Sequence, residues 1–528
     1  MTRDLRELAG RLAPARPSRP ISPGERIHVL GIAGAGASAA ALHARAAGAI
    51  VTGCDPGGRS PYTAALEAIG IPMEWRHDPA HIAAARPDRL AVTKALTAIN
   101  PDHPELLAAA SAGVALEPWQ QLVADAAHGR ELVAVAGTHG KSTTAGWLAW
   151  ILAEAGLDPS AFVGALLPAA LSGGIPATGR VGRGDPFVVE ADEYAGNFDP
   201  YRPRVVALTT IEWDHPDVFA DRAAVIEAFA RWLSLAPEAT IVANLGDPGV
   251  AELLSRLDGV DGRHVIGTSV IGAVRGGAPQ GGDTGPGERR SELVVDRQVT
   301  GTISERTPDG TVLEIDGLDA SSHRVHLPIP GDHNASNALV ALAAAWVVAG
   351  GTTSSASGVD AVQPDRLLWG LASFPGIGRR LERKGEARGV VVYDDYGHHP
   401  TAIRATLDAL RQREPDRRLW AVYEPLTFHR TAAMLDDFAD ALAEADAVAV
   451  ANIWASRDPD TTITSSGALA TAVRRRRPGI PAEAPGTVEE TATWLARNVE
   501  AGDAVLVMGG GKSYRIAEIL LEALHGDR

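Results

Sequence analysis

Cysteine is almost absent from these 528 residues. Cys54 stands alone, which excludes an intramolecular disulfide and agrees with a reducing compartment. Long hydrophobic runs are missing too. No apolar stretch approaches the ~18 residues of a membrane-spanning helix. Residues 1–20 mix Arg with Pro and contain no apolar segment, so no secretory leader is expected. There is no excess of positive charge either: the formal net charge of −16 argues against nucleic acid and against an anionic membrane surface as partners. Lysine is scarce, with only Lys94, Lys141, Lys384 and Lys512 among 49 basic residues. What is present is a globular composition, 45% hydrophobic and 22% charged, over a length that suits about three domains. A soluble cytoplasmic protein, monomeric or homodimeric, is expected.

One of the four lysines sits in the most informative stretch, Glu131-Leu-Val-Ala-Val-Ala-Gly-Thr-His-Gly-Lys-Ser-Thr-Thr144. Leu132 to Ala136 reads as a buried strand and Gly137-Thr138-His139-Gly140 as a tight loop. From Ser142 and Thr143 the apolar spacing is helical, through Leu148, Ile151 and Leu152. Strand, glycine loop, Lys-Ser and helix form a phosphate cradle. Loop amides and the positive helix end face the anion, Lys141 reaches the terminal phosphates, and the Ser142 hydroxyl suits Mg²⁺. Val135 stands where the usual first glycine would be, so the loop is a shortened form with Gly137 and Gly140 as hinges.

Upstream, Arg26 to Ile32 is a strand, followed by a glycine turn and a helix to about Gly48; Ala49 to Gly53 is a second strand, ending at Asp55. Glycines 31, 34 and 36 give G-x-x-G-x-G. That turn suits a hydride-transfer cofactor, a nucleotide diphosphate, or only a close strand–helix contact. Leu90 to Val92 reads as a strand and Thr93 to Asn100 as a polar loop. Beyond the cradle, a strand from Phe187 runs into Glu190, Asp192 and Glu193, and another from Val205 runs into Glu212, Asp214 and His215. A Glu at one strand end and a His at another, beside a Lys-Ser loop, are what Mg²⁺–ATP requires; the alternative is that Glu190, Asp192 and Glu193 form a solvated turn and His215 a helix cap. Gly272 to Arg290 is expected to be a surface insertion, Leu293 to Val295 and Val312 to Ile315 a β-rich segment, and Gly351 to Asp365 a loop. Asp332-His-Asn-Ala-Ser-Asn337 opens an alanine-rich helix, where Asp and Asn serve as caps in isolation. From Gly376 the α/β alternation resumes, with Asp394-Asp-Tyr-Gly-His-His-Pro400 at a strand end. His398 and His399 have no third ligand spaced to join them in a metal site. Arg474 to Arg477 reads as a solvated helix end.

The expected fold is α/β in three domains: a Rossmann-like domain (1–130), a central P-loop ATPase-type parallel-sheet domain (131–375) and a C-terminal Rossmann-like domain (376–528). Gly137-Thr-His-Gly-Lys-Ser-Thr143, Glu190-Ala-Asp-Glu193, Asp214-His215, His333-Asn334 with Asn337, Arg379-Arg380 and Asp394 to Thr401 resemble the Mur ligases, ATP-dependent amide ligases of peptidoglycan precursor synthesis. Within that family they are most similar to members joining UDP-N-acetylmuramate to L-alanine; the recycling members that attach a tripeptide are the alternative. The resemblance implies that Lys141 and the loop bind ATP phosphates, and that Ser142, Glu190 and His215 serve Mg²⁺. It also implies that His333, Asn334 and Asn337 meet adenine, with Arg380 and Asp395 crossing the domain boundary to phosphate and ribose. Gly34, Ala35, Gly36, Ala37 and Ser38 would hold UDP, and His398, His399, Arg430 and Arg457 would face the carboxylate and the amino acid. Two features differ within the family. Tyr423-Glu-Pro-Leu-Thr-Phe-His-Arg430 carries Leu426 and Thr427 where alanine-adding members have His and Arg. No Lys lies between Lys141 and Lys384, which excludes the carbamate-bearing lysine of the later-acting ligases. A nicotinamide-dependent dehydrogenase accounts for the first turn but leaves the Lys-Ser loop unexplained.

Overall fold

The computed structural model describes residues 10–257, 263–272, 295–351, 364–455, 458 and 460–526. Most of the expected insertion, Leu293 and Val294, most of the loop after Gly351, and Arg457 lie outside these.

Three sheets follow one another along the chain. The first is five-stranded, in the order Met73–Glu74, Ile50–Cys54, Arg26–Leu30, Arg89–Val92, Ala115–Pro118, and its strands pair in parallel throughout. This is a doubly wound half-fold whose order reverses beside Arg26–Leu30, so a crevice opens at the carboxyl ends there. The second sheet has ten strands. Its middle is parallel, with Glu131–Ala136 between Val205–Leu208 and Pro186–Ala191. Arg297–Thr307, Gly310–Asp316 and His323–Leu327 extend it as an antiparallel ribbon, which accounts for the β-rich segment around Val312. The third has six strands, parallel except for the antiparallel edge Glu382–Ala387.

The strand patterns follow from burial on both faces. Val133, Ala134, Val135 and Ala136 are all inaccessible, so that strand reads as an unbroken apolar run instead of an alternation. One face is covered by the helices Lys141–Glu154 and Asp332–Val348, which share a core with Val133, Val135 and Val242. The other face merges with the first domain, in one cluster that runs from Ile27 and Ala40 through Phe162 to Trp232. The central and first domains therefore share a core. The third sheet has its own core on each face.

One local expectation fails. Lys94–Ile99 is a short helix and not a polar loop, because Lys-Ala-Leu-Thr-Ala-Ile contains good helix formers and neither Gly nor Pro. The helix is anchored at its start by Lys94, whose ammonium donates to the Ala195 carbonyl of the central domain at 2.7 Å.

The helix Ala35–Ala46 forms the other half of this boundary. His43 donates from Nε2 to the Ala161 carbonyl at 2.9 Å, and burial drives its pKa down to about 4. Its ring is neutral when folded and protonates near pH 6.5 when unfolded. Stability is therefore fully present above about pH 6.5 and is lost as the pH falls toward 4, by roughly 3 kcal/mol from this group. Urea denaturation between pH 7.5 and pH 4.5 should show a shallower loss for His43→Gln than for the wild type.

Candidate active site

The cradle is built by two glycines in conformations closed to other residues. Gly137 (φ +139°) ends the strand, and a Cβ there would lie 2.2 Å from Thr209 Oγ1; Gly140 (φ +81°) precedes the helix, and a Cβ there would lie 2.3 Å from Asn337 Oδ1. The loop is laced to the neighbouring strand end. The Thr138 amide donates to the Thr210 carbonyl at 2.7 Å and the His139 amide to Thr210 Oγ1 at 2.9 Å. No side chain caps the helix Lys141–Glu154, so its first-turn amides are the donors available to an anion.

Lys141 is folded back into the cradle. Its Nζ donates to the carbonyls of Gly137 (2.6 Å) and Thr138 (3.3 Å) and to Glu193 Oε2 (3.0 Å). Burial pushes the Glu193 carboxyl up to about 7 even with Lys141 opposing that shift. The Ser142 hydroxyl donates to Glu190 Oε1 at 3.0 Å, while the Gly164 amide holds Glu190 Oε2 at 2.6 Å. His215, at φ +56°, places Nε2 3.8 Å from Glu193 Oε1. Asp192, Glu193 and His215 offer ligand atoms within 4.8 Å of one another, an oxygen-rich set beside the Ser142–Glu190 pair that fits a hard divalent cation.

The third domain reaches this centre at two points. Arg380 Nη2 donates to Ser142 Oγ at 2.8 Å. It is aimed there because Arg379 and Leu381 both take positive φ. Asp395 holds that turn by accepting from the Leu381 (2.7 Å) and Gly397 (2.6 Å) amides. Asp395 thus buttresses Arg380, with both carboxylate oxygens engaged inside its own domain. Arg379 is internal, bonded to Asp394, Gly509 and Ser513. The second point is Arg430, which donates from Nη2 to Asp214 Oδ1 at 2.5 Å and lies 3.2 Å from His215 Nδ1. Its Nε and Nη1 are buried with no hydrogen-bond partner among the described residues. Two guanidinium donors therefore remain for a ligand.

Sequence spacing missed a further cluster. His139 Nε2 lies 3.0 Å from Glu212 Oε2, His399 Nδ1 lies 3.8 Å from the same oxygen, and the imidazoles are 4.5 Å apart. Burial opposes the Glu212 charge, but the two histidines hold its carboxyl down to about 2. The third partner that local spacing withheld from His399 comes from another domain. His398 stands outside this cluster, with Nδ1 2.9 Å from the Tyr396 carbonyl and its ring against the charges of Arg430, Asp214 and His215. The signal for it in the sequence is the Glu-Trp-Asp-His string at a strand end, where Glu212 stands three residues before His215.

His333, Asn334 and Asn337 share the first turns of Asp332–Val348. Asn334 Nδ2 donates to the Pro330 carbonyl at 2.8 Å, and Asn337 packs under Gly140. In the first domain, Asp55 Oδ2 accepts from the Ala33 amide at 3.2 Å, which steadies the glycine turn. Gly34, Ala35 and Gly36 line that turn. Ala37 and Ser38 are buried against the central domain, where the Ser38 hydroxyl meets Thr178 Oγ1 at 2.9 Å.

The geometry is that of a three-domain α/β enzyme in which a central phosphate loop is met by arginines from the third domain. Residues 26–131, 135–345 and 379–511 match, in turn, the domains described as "Mur ligase family, catalytic domain", "Mur ligase middle domain" and "Mur ligase, glutamate ligase domain". A protein of Frankia casuarinae named UDP-N-acetylmuramate–L-alanine ligase is 36% identical over 95% of this chain and 98% of its own length. A protein of the same name from Kineococcus radiotolerans is 37% identical over 94% of the chain and 96% of its own length. Among solved structures, a UDP-N-acetylmuramate–alanine ligase from Thermotoga maritima superposes with TM-score 0.71 at 23% identity, over 95% of this chain and all of that one. A murein peptide ligase from Psychrobacter arcticus does so with TM-score 0.68 at 26% identity, over 96% of this chain and all of that one. The chain belongs to the Mur ligase family.

A methyl on Gly36 would lie 2.2 Å from the Trp119 ring. Gly36→Ala should therefore cost about 1–3 kcal/mol by overpacking, read as a lower urea midpoint followed by tryptophan fluorescence.

Proposed function

We propose that this chain couples ATP cleavage to amide formation between the carboxylate of UDP-N-acetylmuramate and L-alanine. The observation that carries the chemistry is the unsatisfied, buried guanidinium of Arg430, held over the phosphate-loop centre beside Asp214 and His215. The acceptor and donor come from the names of the relatives that align along nearly the whole chain.

A carboxylate is a poor electrophile, so the γ-phosphoryl group of ATP passes first to the muramate carboxylate, giving an acyl phosphate and ADP. The neutral amine of alanine then attacks the acyl carbon, and inorganic phosphate leaves. Lys141 exchanges the carbonyls of Gly137 and Thr138 for phosphate oxygens, with the first-turn amides of its helix completing the cradle. Ser142, Glu190 and the Asp192–Glu193–His215 group would hold Mg²⁺, which when bound screens phosphate charge. Arg380 follows Ser142 toward the transferred group. Arg430 and His399 face the carboxylate and the incoming amine, together with His398. His333, Asn334 and Asn337 receive the adenine, and Gly34, Ala35 and Gly36 the uridine diphosphate. Because the third domain supplies Arg380 and Arg430, the site is complete only when the domains close, and closure keeps water from the acyl phosphate.

The alternative, addition of a tripeptide, is favoured by one feature. Leu426 and Thr427 leave the acceptor side without the two basic residues of alanine-adding members. Phosphate release from ATP with UDP-N-acetylmuramate distinguishes the two when L-alanine, glycine, L-serine and the tripeptide are compared. Release dependent on L-alanine supports the first reading, preference for tripeptide moves the assignment to the second, and no release with any of them removes both. Lys141→Met should lower kcat by about 10²–10³-fold or more, the loss of an electrostatic contact to the transferring group. Its Tm should shift little, because Glu193, already near a pKa of 7, takes up a proton when its partner is removed.

A further inference from the structure

The first domain contains a second constellation, on the face of its sheet turned away from the central domain. His28 from the strand Arg26–Leu30, Cys54 from the end of Ile50–Cys54, His81 from the helix Ala80–Ala85 and Glu105 from the helix Pro104–Ser111 converge beneath Leu30, Ile82 and Leu106. Their ligand atoms all lie within 4.8 Å of one another. His28 Nε2 is 3.4 Å from Cys54 Sγ and 3.6 Å from Glu105 Oε2. Cys54 Sγ is 3.3 Å from Glu105 Oε2, and His81 Nδ1 is 3.4 Å from Glu105 Oε1. A tetrahedral ion with bonds of about 2.0–2.3 Å spaces its ligand atoms roughly 3.3–3.7 Å apart. The geometry points to a structural Zn²⁺ site formed by His28, Cys54, His81 and Glu105.

Three independent features support it. Both ring nitrogens of His81 are buried with no hydrogen-bond partner among the described residues, which needs an explanation that a metal supplies. The outer contacts are those of metal ligands: the second nitrogen of His28 meets Thr52 Oγ1 at 2.8 Å, and the Asp78 amide donates to Glu105 Oε1 at 2.7 Å. The charges also close. Binding releases the thiol proton to solvent, and one thiolate, one carboxylate and two neutral imidazoles balance a divalent ion, as a site with Cys54 and Glu105 fully buried requires. His77 lies beside the group, its Nδ1 3.4 Å from Cys54 Sγ, and packs edge-on against His103. Four protein ligands make the site closed and structural, and its position one residue before Asp55 ties it to the carboxylate that steadies the Ala33 turn.

The test uses the full chain with any affinity tag removed. After growth with zinc and exhaustive dialysis, elemental analysis should find one zinc ion per chain. Protein stripped with a strong chelator and titrated with Co²⁺, with excess Mg²⁺ occupying the phosphate centre, should develop a thiolate-to-cobalt charge-transfer band. Cys54 is the only cysteine, so such a band can arise nowhere else. His81→Gln and Glu105→Gln should each weaken Co²⁺ binding by at least about tenfold, the minimum seen even for outer-shell partners. If the wild type loses all zinc on dialysis, or binds Co²⁺ without the band, the proposal is overturned. Unchanged affinity in both variants overturns the ligand set. Should the variants fail to fold, the wild-type spectrum alone decides.

Discussion

The ion pair between Arg430 and Asp214 links the parts of this molecule that must act together. Both side chains are buried, and one belongs to the third domain while the other follows a strand of the central one. A buried guanidinium with two unsatisfied nitrogens carries a desolvation cost that one carboxylate does not fully offset. The arrangement is tolerable only if something else that accepts hydrogen bonds enters the same space. The electrostatics thus favour an anionic ligand at the closed boundary, and Arg380 on Ser142 repeats the pattern a short distance away. The same logic applies to Lys141, which rests on loop carbonyls and Glu193 until phosphate oxygens replace them.

Left-handed backbone recurs at the points that set these contacts. His215, Arg379, Leu381 and Thr427 all have positive φ without being glycine. Each lies within a residue or three of a side chain that crosses to the site: Asp214 beside His215, Arg380 between Arg379 and Leu381, Arg430 after Thr427. Such conformations persist where surrounding structure over-determines them. Here the determinants are visible, in Asp395 on the Leu381 and Gly397 amides and Thr427 Oγ1 accepting from the Arg430 amide.

Much of this was legible from the chain because its strands are buried on both faces and read as apolar runs, with glycines where the cradle turns. Strand Glu131–Ala136, its loop and the Lys141 helix fall where spacing put them. What stayed hidden depends on contacts between distant segments. Spacing cannot show that Glu212 lies between His139 and His399, or that the Ser38 hydroxyl is engaged by Thr178 across the domain boundary. Lys94–Ile99 carries polar residues that suit a loop, and it is a helix because its helix-forming composition is fixed by the Lys94 contact to Ala195. The cluster around Cys54 was invisible for the same reason, since its four ligands come from four separate elements.

In the proposed reaction, the boundary between the loop and the third-domain arginines activates a carboxylate by phosphorylation. The most direct measurement supplies UDP-N-acetylmuramate carrying heavy oxygen in its carboxylate, with ATP and L-alanine, and follows the label by mass spectrometry. One labelled oxygen in the released inorganic phosphate is the predicted result. Phosphate released at the rate of amide formation but free of label would contradict it.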